Sequence, residues 1–136
     1  NADQKGISIE LDAQTETVWC DEVSMHTVFR NLISNSIKFS KEEGIIKIRT
    51  HKNIDSVSVS VSDSGIGMTP EVLKRIFYKN EHYSSSGTHN EQGTGLGLML
   101  VKDFVEKNFA KLNVQSKSGE GTTITIDIQL NNPLEI

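Results

Sequence analysis

Apolar and polar residues alternate along several short stretches of the chain. The clearest are 57–62, where valine alternates with serine, and 122–130, where isoleucine alternates with polar residues. A period of two is typical of a β-strand with one buried face. Shorter stretches with the same period predict further strands at 7–11, 45–51 and 111–116. We also expect residues 18–20 to pair beside the first of these strands.

Elsewhere the apolar residues recur every three or four positions, which predicts helices. The longest helix is expected to start after Asp21, a good N-cap residue, and to end near Phe39. Its apolar positions are Val23, Val28, Phe29, Leu32, Ile33 and Ile37. A short helix is expected from Thr69 to about Phe77, and a third helix, apolar on most sides, from Leu96. These elements predict an α/β (α+β) two-layer sandwich, with three helices on one face of a mixed, largely antiparallel sheet.

The length of 136 residues indicates one domain, which we place at 5–130, between a leader at 1–4 and a tail at 131–136. The formal net charge of −4 argues against nucleic-acid binding or direct membrane contact, because phosphate-rich partners require a basic face. The single cysteine, Cys20, cannot form an internal disulfide, so we expect a cytoplasmic location. The long polar stretch 79–92 is a candidate lid over a substrate.

Asn31, Asn35 and Lys38 form the first candidate functional group. They lie at positions i, i+4 and i+7 of the long helix and so project from one stripe. An amide oxygen is a hard ligand suited to Mg²⁺, and the lysine adds a positive charge for phosphate. The alternative is an ordinary solvated helix surface with an extended lysine.

The second group is the turn Asp63-Ser64-Gly65-Ile66-Gly67, which follows the valine–serine strand. The carboxylate can accept a hydrogen bond from an exocyclic amine. The glycines Gly65 and Gly67 permit positive φ and would let a flat ring lie against bare backbone. The alternative is a plain strand-to-turn signal, because aspartate and glycine are common turn residues.

The third group is the glycine-rich segment Gly93-Thr94-Gly95-Leu96-Gly97 at the start of the last helix. It lacks the Gly-Lys-Ser/Thr ending of a P-loop, and a polar loop rather than a strand precedes it, unlike a dinucleotide fingerprint. Free N–H groups at a helix start attract phosphate oxygens, and glycines allow a close approach. Tight packing of the helix on the sheet would require the same glycines.

In order and spacing, these three motifs resemble the N, G1 and G2 boxes of the catalytic and ATP-binding domain of sensor histidine kinases, a branch of the GHKL superfamily. The resemblance extends from about Lys5 to Leu130. A further motif, Gly119-Glu120-Gly121-Thr122, is similar to the final box of the family, whose threonine joins the adenine hydrogen-bond network.

The resemblance implies a site for ATP and magnesium. In that site Asn35 coordinates the magnesium, Asn31 and Lys38 meet the phosphates and are the candidate catalytic residues, and Asp63 recognises the adenine amino group. The remaining ATP-binding candidates are Gly65, Gly67, Gly93, Thr94, Gly95, Leu96, Gly97 and Thr122. Two departures stand out: Ser36 replaces the usual alanine, and Asn108-Phe109-Ala110 replaces a glycine pair before the next strand.

The histidines at 26, 51, 82 and 89 each lack the acidic follower of a family phosphoacceptor. The acceptor is therefore expected on a separate upstream dimerisation domain. Relatives that hydrolyse ATP carry a glutamate where this chain has Asn31, and an amide cannot act as a general base. The sequence thus favours phosphoryl transfer to histidine over hydrolysis.

The parent protein implied by the resemblance is a homodimeric sensor kinase, either soluble or membrane-anchored, that passes phosphate to a response-regulator receiver domain. Two other classes share the same motifs and stay open at this point. One is a GHKL protein-serine kinase or anti-sigma factor, and the other is an ATP-binding pseudokinase.

Overall fold

The structure, a computed structural model, describes residues 6–14, 16–77 and 97–134. These residues contain a five-stranded sheet with the spatial order β1-β2-β3-β5-β4. The strands are β1 Ser8–Asp12, β2 Ile45–Lys52, β3 Ser56–Asp63, β4 Lys111–Lys117 and β5 Gly121–Gln129. β1 runs parallel to β2, and the other neighbouring pairs are antiparallel. The predicted mixed, largely antiparallel sheet is confirmed.

In the part of the chain that the structure describes, three helices accompany the sheet: α1 Glu22–Phe39, α2 Pro70–Phe77 and α3 Gly97–Lys107. The N-cap prediction for α1 is confirmed, since the Ser24 backbone N–H donates to the Asp21 carboxylate at 2.9 Å. Thr69 caps α2 in the same way, by accepting from the Val72 N–H at 3.3 Å. The helix starts therefore follow from local capping chemistry.

The core lies between the helices and one face of the sheet. Val57, Val59 and Val61 of β3 are paired across the strands with Ile128, Ile126 and Ile124 of β5. Buried side chains from α1 and α3, among them Val28, Leu32, Val101 and Val105, form one cluster with Val61 and the three isoleucines. The opposite face of β3 and β5 is polar: the Ser62 and Thr123 hydroxyl oxygens, for example, lie 2.8 Å apart. The alternation in sequence thus defines the two faces, as predicted.

Three details of the sequence interpretation were wrong. Val23 is 75% exposed, and the neighbouring Met25 is the buried residue of the first turns of α1. In β1, Leu11 is 71% exposed, so this edge strand is not half-buried by its apolar side chains. Residues 18–20 form no strand beside β1, because the chain crosses there from the sheet edge to the start of α1. The Trp19 N–H instead donates to the Gln129 carbonyl at the end of β5.

In the turn between α3 and β4, Asn108 and Phe109 take the place of the glycine pair that is usual in the family. Phe109 adopts φ 56°, a left-handed conformation that usually favours glycine. The Asn108 side chain, 6% exposed, accepts from the Asp21 N–H at 2.6 Å and donates to the Ser24 hydroxyl at 3.1 Å and the Phe104 carbonyl at 2.8 Å. Asn108 therefore fastens the end of α3 to the start of α1.

Some sequence predictions fall outside the described residues. These are the leader at 1–4, the lid at 79–92, and the positions Gly93, Thr94, Gly95 and Leu96. Within the described parts of the chain, every helix is too short or too polar to cross a membrane.

Candidate functional site

A row of side chains crosses one end of the sheet. Ile46 of β2 is paired with Asp63 of β3, Asp63 with Thr122 of β5, and Thr122 with Ser116 of β4. Because side chains alternate between faces, Asp63 points to the same face as Val61, which is the helix-covered face. The sheet register thus places one carboxylate and two hydroxyl groups side by side at the edge of the core.

Asp63 is a partly desolvated hydrogen-bond acceptor. Burial raises the pKa of its carboxyl, and hydrogen bonds from the Gly65 and Thr122 N–H groups and from the Ser36 hydroxyl partly oppose that rise. The Gly65 N–H reaches Oδ1 at 2.9 Å. This hydrogen bond holds the orientation of the carboxylate. An ionised carboxylate has about four acceptor positions, so it can also accept from an N–H donor of a ligand.

Backbone hydrogen bonds hold the turn after Asp63 in place. The Ile66 N–H donates to the Phe39 carbonyl at the end of α1 at 3.2 Å, and the Ile66 carbonyl accepts from the Gly119 N–H at 2.7 Å. The Met68 N–H donates to the Ser116 hydroxyl oxygen at 2.8 Å. The turn is therefore fixed between α1 and the β4–β5 hairpin, which gives the site a preformed wall.

The glycines of this turn have a structural reason that the sequence did not show. A Cβ added at Gly65 would lie 2.2 Å from the Phe39 carbonyl oxygen, and one at Gly67 would lie 2.0 Å from the Lys117 carbonyl oxygen. Gly67 has the positive φ that the sequence allowed, +67°, whereas Gly65 does not adopt positive φ. The lack of side chains is thus required by backbone packing within the protein, whatever ring a ligand places there.

The stripe lies on α1, the helix that also supplies Ser36 to the row. Asn31, Asn35 and Lys38 are half-buried, and Ser36, 5% exposed, faces Asp63 with its hydroxyl. Asn31 uses one amide hydrogen within its own helix, donating to the Thr27 carbonyl at 2.9 Å. Within the described ranges this is the hydrogen bond of the Asn31 side chain, so its second amide hydrogen and its carbonyl oxygen can bind a ligand. The structure therefore brings the C-terminal half of α1 to the carboxylate.

The lysine of the stripe has an aromatic neighbour. The Lys38 Nζ atom lies 4.8 Å from the centroid of the Phe39 ring, within cation–π distance. Gly97 is the first described residue of α3, and Leu96, where the sequence predicts the helix to begin, lies outside the described residues. Across the described ranges, no group of three or more histidine, cysteine, aspartate or glutamate side chains is arranged to hold a metal ion.

The sequence interpretation missed one residue of the row, Ser116. Its signal was present in the alternation of β4, where Leu112 and Val114 are inward positions and Ser116 is the next one. An inward hydroxyl in an otherwise apolar series indicates a polar contact at that end of the sheet.

A separate cavity of about 440 Å³ lies at the other end of β3. Its lining includes Met25 and Phe29 of α1, Val57 of β3 and Ile128 of β5. Val57 is six residues from Asp63 along the strand, roughly 20 Å. The cavity contains none of the predicted site residues, so it is not the candidate site.

The raised pKa of Asp63 predicts how folding stability depends on pH. Because burial favours the protonated form, the folded protein binds this proton more tightly than an ordinary aspartate with a pKa of 3.8. The free energy of unfolding of the wild type should therefore rise, relative to Asp63→Asn, as the pH falls towards 3.8. Urea unfolding of both proteins from neutral pH to about pH 4 measures this difference. A wild type that loses stability relative to the variant on acidification would contradict the raised pKa.

Comparison with known proteins assigns the chain to a family. The family model described as histidine kinase-, DNA gyrase B- and HSP90-like ATPase matches residues 20–132. The chain is 32% identical over 126 residues to the heme sensor protein HssS of Staphylococcus saprophyticus, covering 93% of this chain and 26% of that protein. It is 36% identical over 104 residues to the phosphate regulon sensor protein PhoR of Pseudomonas aeruginosa, covering 76% and 24%. The chain spans about a quarter of the length of these relatives.

Solved structures agree in fold. The catalytic domain of the histidine kinase ThkA aligns with a TM-score of 0.76 and 26% identity, over 95% of this chain and 82% of that one. The Acinetobacter baumannii histidine kinase AdeS aligns with a TM-score of 0.75 and 24% identity, over 96% and 58%. The sandwich is thus the fold of a histidine kinase catalytic domain. The chain belongs to the family of histidine kinase-, DNA gyrase B- and HSP90-like ATPases, as a domain of the histidine kinase type.

Proposed function

We propose that this domain binds Mg-ATP and supplies its γ-phosphoryl group to a histidine on a separate dimerisation domain. The observation that carries the proposal is the Asp63 carboxylate, which is partly buried at the edge of the core and oriented by the Gly65 N–H at 2.9 Å. In a family of ATPases and kinases, such an acceptor fits the amino group of adenine, which guanine lacks at the equivalent ring position.

The other residues take roles that match their chemistry. Thr122, the neighbour of Asp63 in the row, contributes a hydroxyl to the adenine edge. On α1, Asn35 would bind magnesium through its amide oxygen, and Asn31 and Lys38 would meet the phosphates with an amide and an ammonium group. Magnesium bound there with ATP would supply positive charge that neutralises the phosphates. The segment Gly93, Thr94, Gly95, Leu96 and Gly97 would offer backbone N–H groups to the phosphates.

Two features favour transfer over hydrolysis. Asn31 lies one helical turn before Asn35, and its amide cannot take a proton from an attacking water. The described histidines, His26 and His51, are exposed on α1 and β2, and neither is followed by an acidic residue. The γ-phosphoryl group is therefore kept for a nucleophile supplied by another domain.

The proposed partners follow from this role. They are the upstream dimerisation and phosphoacceptor domain of the same parent protein, and a receiver domain whose aspartate takes the phosphoryl group from the histidine. A homodimeric parent with this domain in the cytoplasm fits the scheme. The net charge of −4 fits a domain that contacts neither nucleic acid nor a membrane surface.

We expect the isolated chain to bind Mg-ATP without labelling itself and without rapid turnover. Calorimetry with ATP, with and without magnesium, measures the binding. Incubation with γ-labelled ATP measures phosphate release and protein labelling, which should both stay far below an ordinary enzyme rate of about 1 s⁻¹.

Adding the dimerisation domain of the parent protein should then label that domain on histidine, with release of ADP. Stable labelling of His26, His51, His82 or His89 would contradict the proposal. So would phosphate release at ordinary enzyme rates by the chain alone, or labelled serine on a partner protein.

A further inference from the structure

Ser116, which neither the motifs nor the proposed function uses, makes three polar contacts beside the adenine site. Its Oγ accepts from the Met68 backbone N–H at 2.8 Å. It lies 3.2 Å from the Gly121 carbonyl oxygen and 2.7 Å from the Thr122 hydroxyl oxygen. Ser116 therefore connects the turn after Asp63 with the threonine of the row.

The direction of these hydrogen bonds follows from counting hydrogens. A serine hydroxyl has one hydrogen and two lone pairs, and the Met68 N–H occupies one lone pair. The Gly121 carbonyl can only accept, so the Ser116 hydrogen must point to it if that contact is a hydrogen bond. The 2.7 Å contact with Thr122 is then donated by Thr122. This is the arrangement in which all three contacts are hydrogen bonds; the reverse direction leaves the Gly121 contact without a hydrogen.

The consequence concerns the face that Thr122 offers to a ligand. With its single hydrogen given to Ser116, the Thr122 hydroxyl presents only lone pairs on its other sides. Its neighbour in the row, Asp63, is an acceptor as well. The two side chains therefore form a pair of acceptors at the end of the sheet.

We infer that Ser116 is a positioning residue: it accepts the hydrogen of the Thr122 hydroxyl, so that this hydroxyl can only accept a hydrogen bond from a ligand. Asp63 and Thr122 together then select a base with an amino group at C6. The inference rests on the proposed function, because it assumes that adenine binds at this row. Adenine offers two amino hydrogens to two acceptors. A base with a carbonyl at C6 would place its own acceptor against both.

Inosine triphosphate is the probe that isolates this position, because it replaces the C6 amino group of ATP by a carbonyl, with the accompanying hydrogen on N1. The wild-type chain should bind ATP more tightly than ITP by about tenfold or more, in line with one or two hydrogen bonds lost or reversed. In Ser116→Ala the Thr122 hydroxyl is released to rotate and to donate to the carbonyl. The ATP/ITP preference should then fall about three- to tenfold.

The preference ratio separates this role from a structural one. Loss of the Met68 anchor would loosen the turn and weaken both nucleotides together, which leaves the ratio unchanged. Ser116→Thr keeps the hydroxyl and should retain the wild-type ratio. The matched control is Ser62→Ala, which breaks the equivalent serine–threonine hydroxyl pair with Thr123 on the opposite face of the same sheet. It should also retain the ratio.

A second variant tests directly whether the Thr122 hydroxyl acts as a hydrogen-bond acceptor, and it keeps the test possible if Ser116→Ala folds poorly. Thr122→Val removes an acceptor, so it should weaken ATP more than ITP and lower the ratio. An unchanged ratio in Ser116→Ala, or a ratio raised by Thr122→Val, would overturn the inference while ATP binding by the wild type stands. Absence of ATP binding by the wild type would instead overturn the proposed function.

Discussion

Replacing Asp63 by alanine is expected to weaken ATP binding by about 10- to 100-fold. The residue accepts a hydrogen bond through a charged group, and such bonds contribute roughly 1.5–3 kcal/mol, where about 1.4 kcal/mol corresponds to a factor of ten. The loss should be in affinity for the base, so Asp63→Ala should weaken ATP far more than it weakens inorganic triphosphate. Calorimetric titration of both ligands measures the two effects.

A second aspartate provides the control for this experiment. Asp127 lies on β5, where its carboxylate accepts from the Ser58 hydroxyl on the polar face of the sheet. Asp127→Ala changes the net charge by the same amount and should leave ATP affinity within about twofold. ATP binding that is equally strong in Asp63→Ala and the wild type would remove Asp63 from the adenine site.

Replacing Gly121 by alanine is expected to cost about 3–5 kcal/mol of folding free energy. Gly121 has φ +110°, and an added Cβ would lie 2.1 Å from the Asp63 carbonyl oxygen. The three nearest atoms all belong to the backbone of Asp63 and Ser64, so the clash cannot be relieved without breaking the pairing of Asp63 with Thr122. Urea unfolding measures the loss, and the site should be lost with it.

Gly119 makes the matched control, two residues earlier in the same hairpin. It also has positive φ, +84°, but an added Cβ meets nothing within 4 Å. Gly119→Ala should therefore cost only about 1 kcal/mol, the backbone strain alone. Equal losses in the two variants would show that backbone conformation, and not the contact with Asp63, is what requires glycine at 121.

Local sequence signals predicted the elements well, and contacts between distant residues explain the exceptions. The alternation in β3 and β5 and the N-cap Asp21 are local features, so strand faces and the start of α1 were confirmed. The choice of Met25 over Val23 as the buried residue depends on where α1 meets the sheet, which no local period records. The position of Trp19 against β5 is likewise a long-range contact.

The same distinction applies to the candidate site. Asp63 and the α1 stripe carry chemistry in their own side chains, so the sequence alone predicted them. Ser116 acquires its place only through strand register, because it is paired with Thr122, which is in turn paired with Asp63, a residue far away in the chain. Gly65 and Gly67 were predicted to make room for a ligand ring. The atoms closest to an added Cβ at either position are instead backbone carbonyl oxygens of other segments of the protein.

The Asn108 contact has a mechanical consequence. It joins the start of α1 to the end of α3, so the two antiparallel helices are clamped at the end remote from Asp63. Their other ends, the last turn of α1 and the first turn of α3, carry residues assigned to the nucleotide. α3 is 11 residues long, roughly 16 Å, and it is held at Asn108, so a change in its tilt would pivot about that end. Any widening or narrowing of the gap between the two helices is therefore greatest where the phosphates would lie and smallest at the clamp.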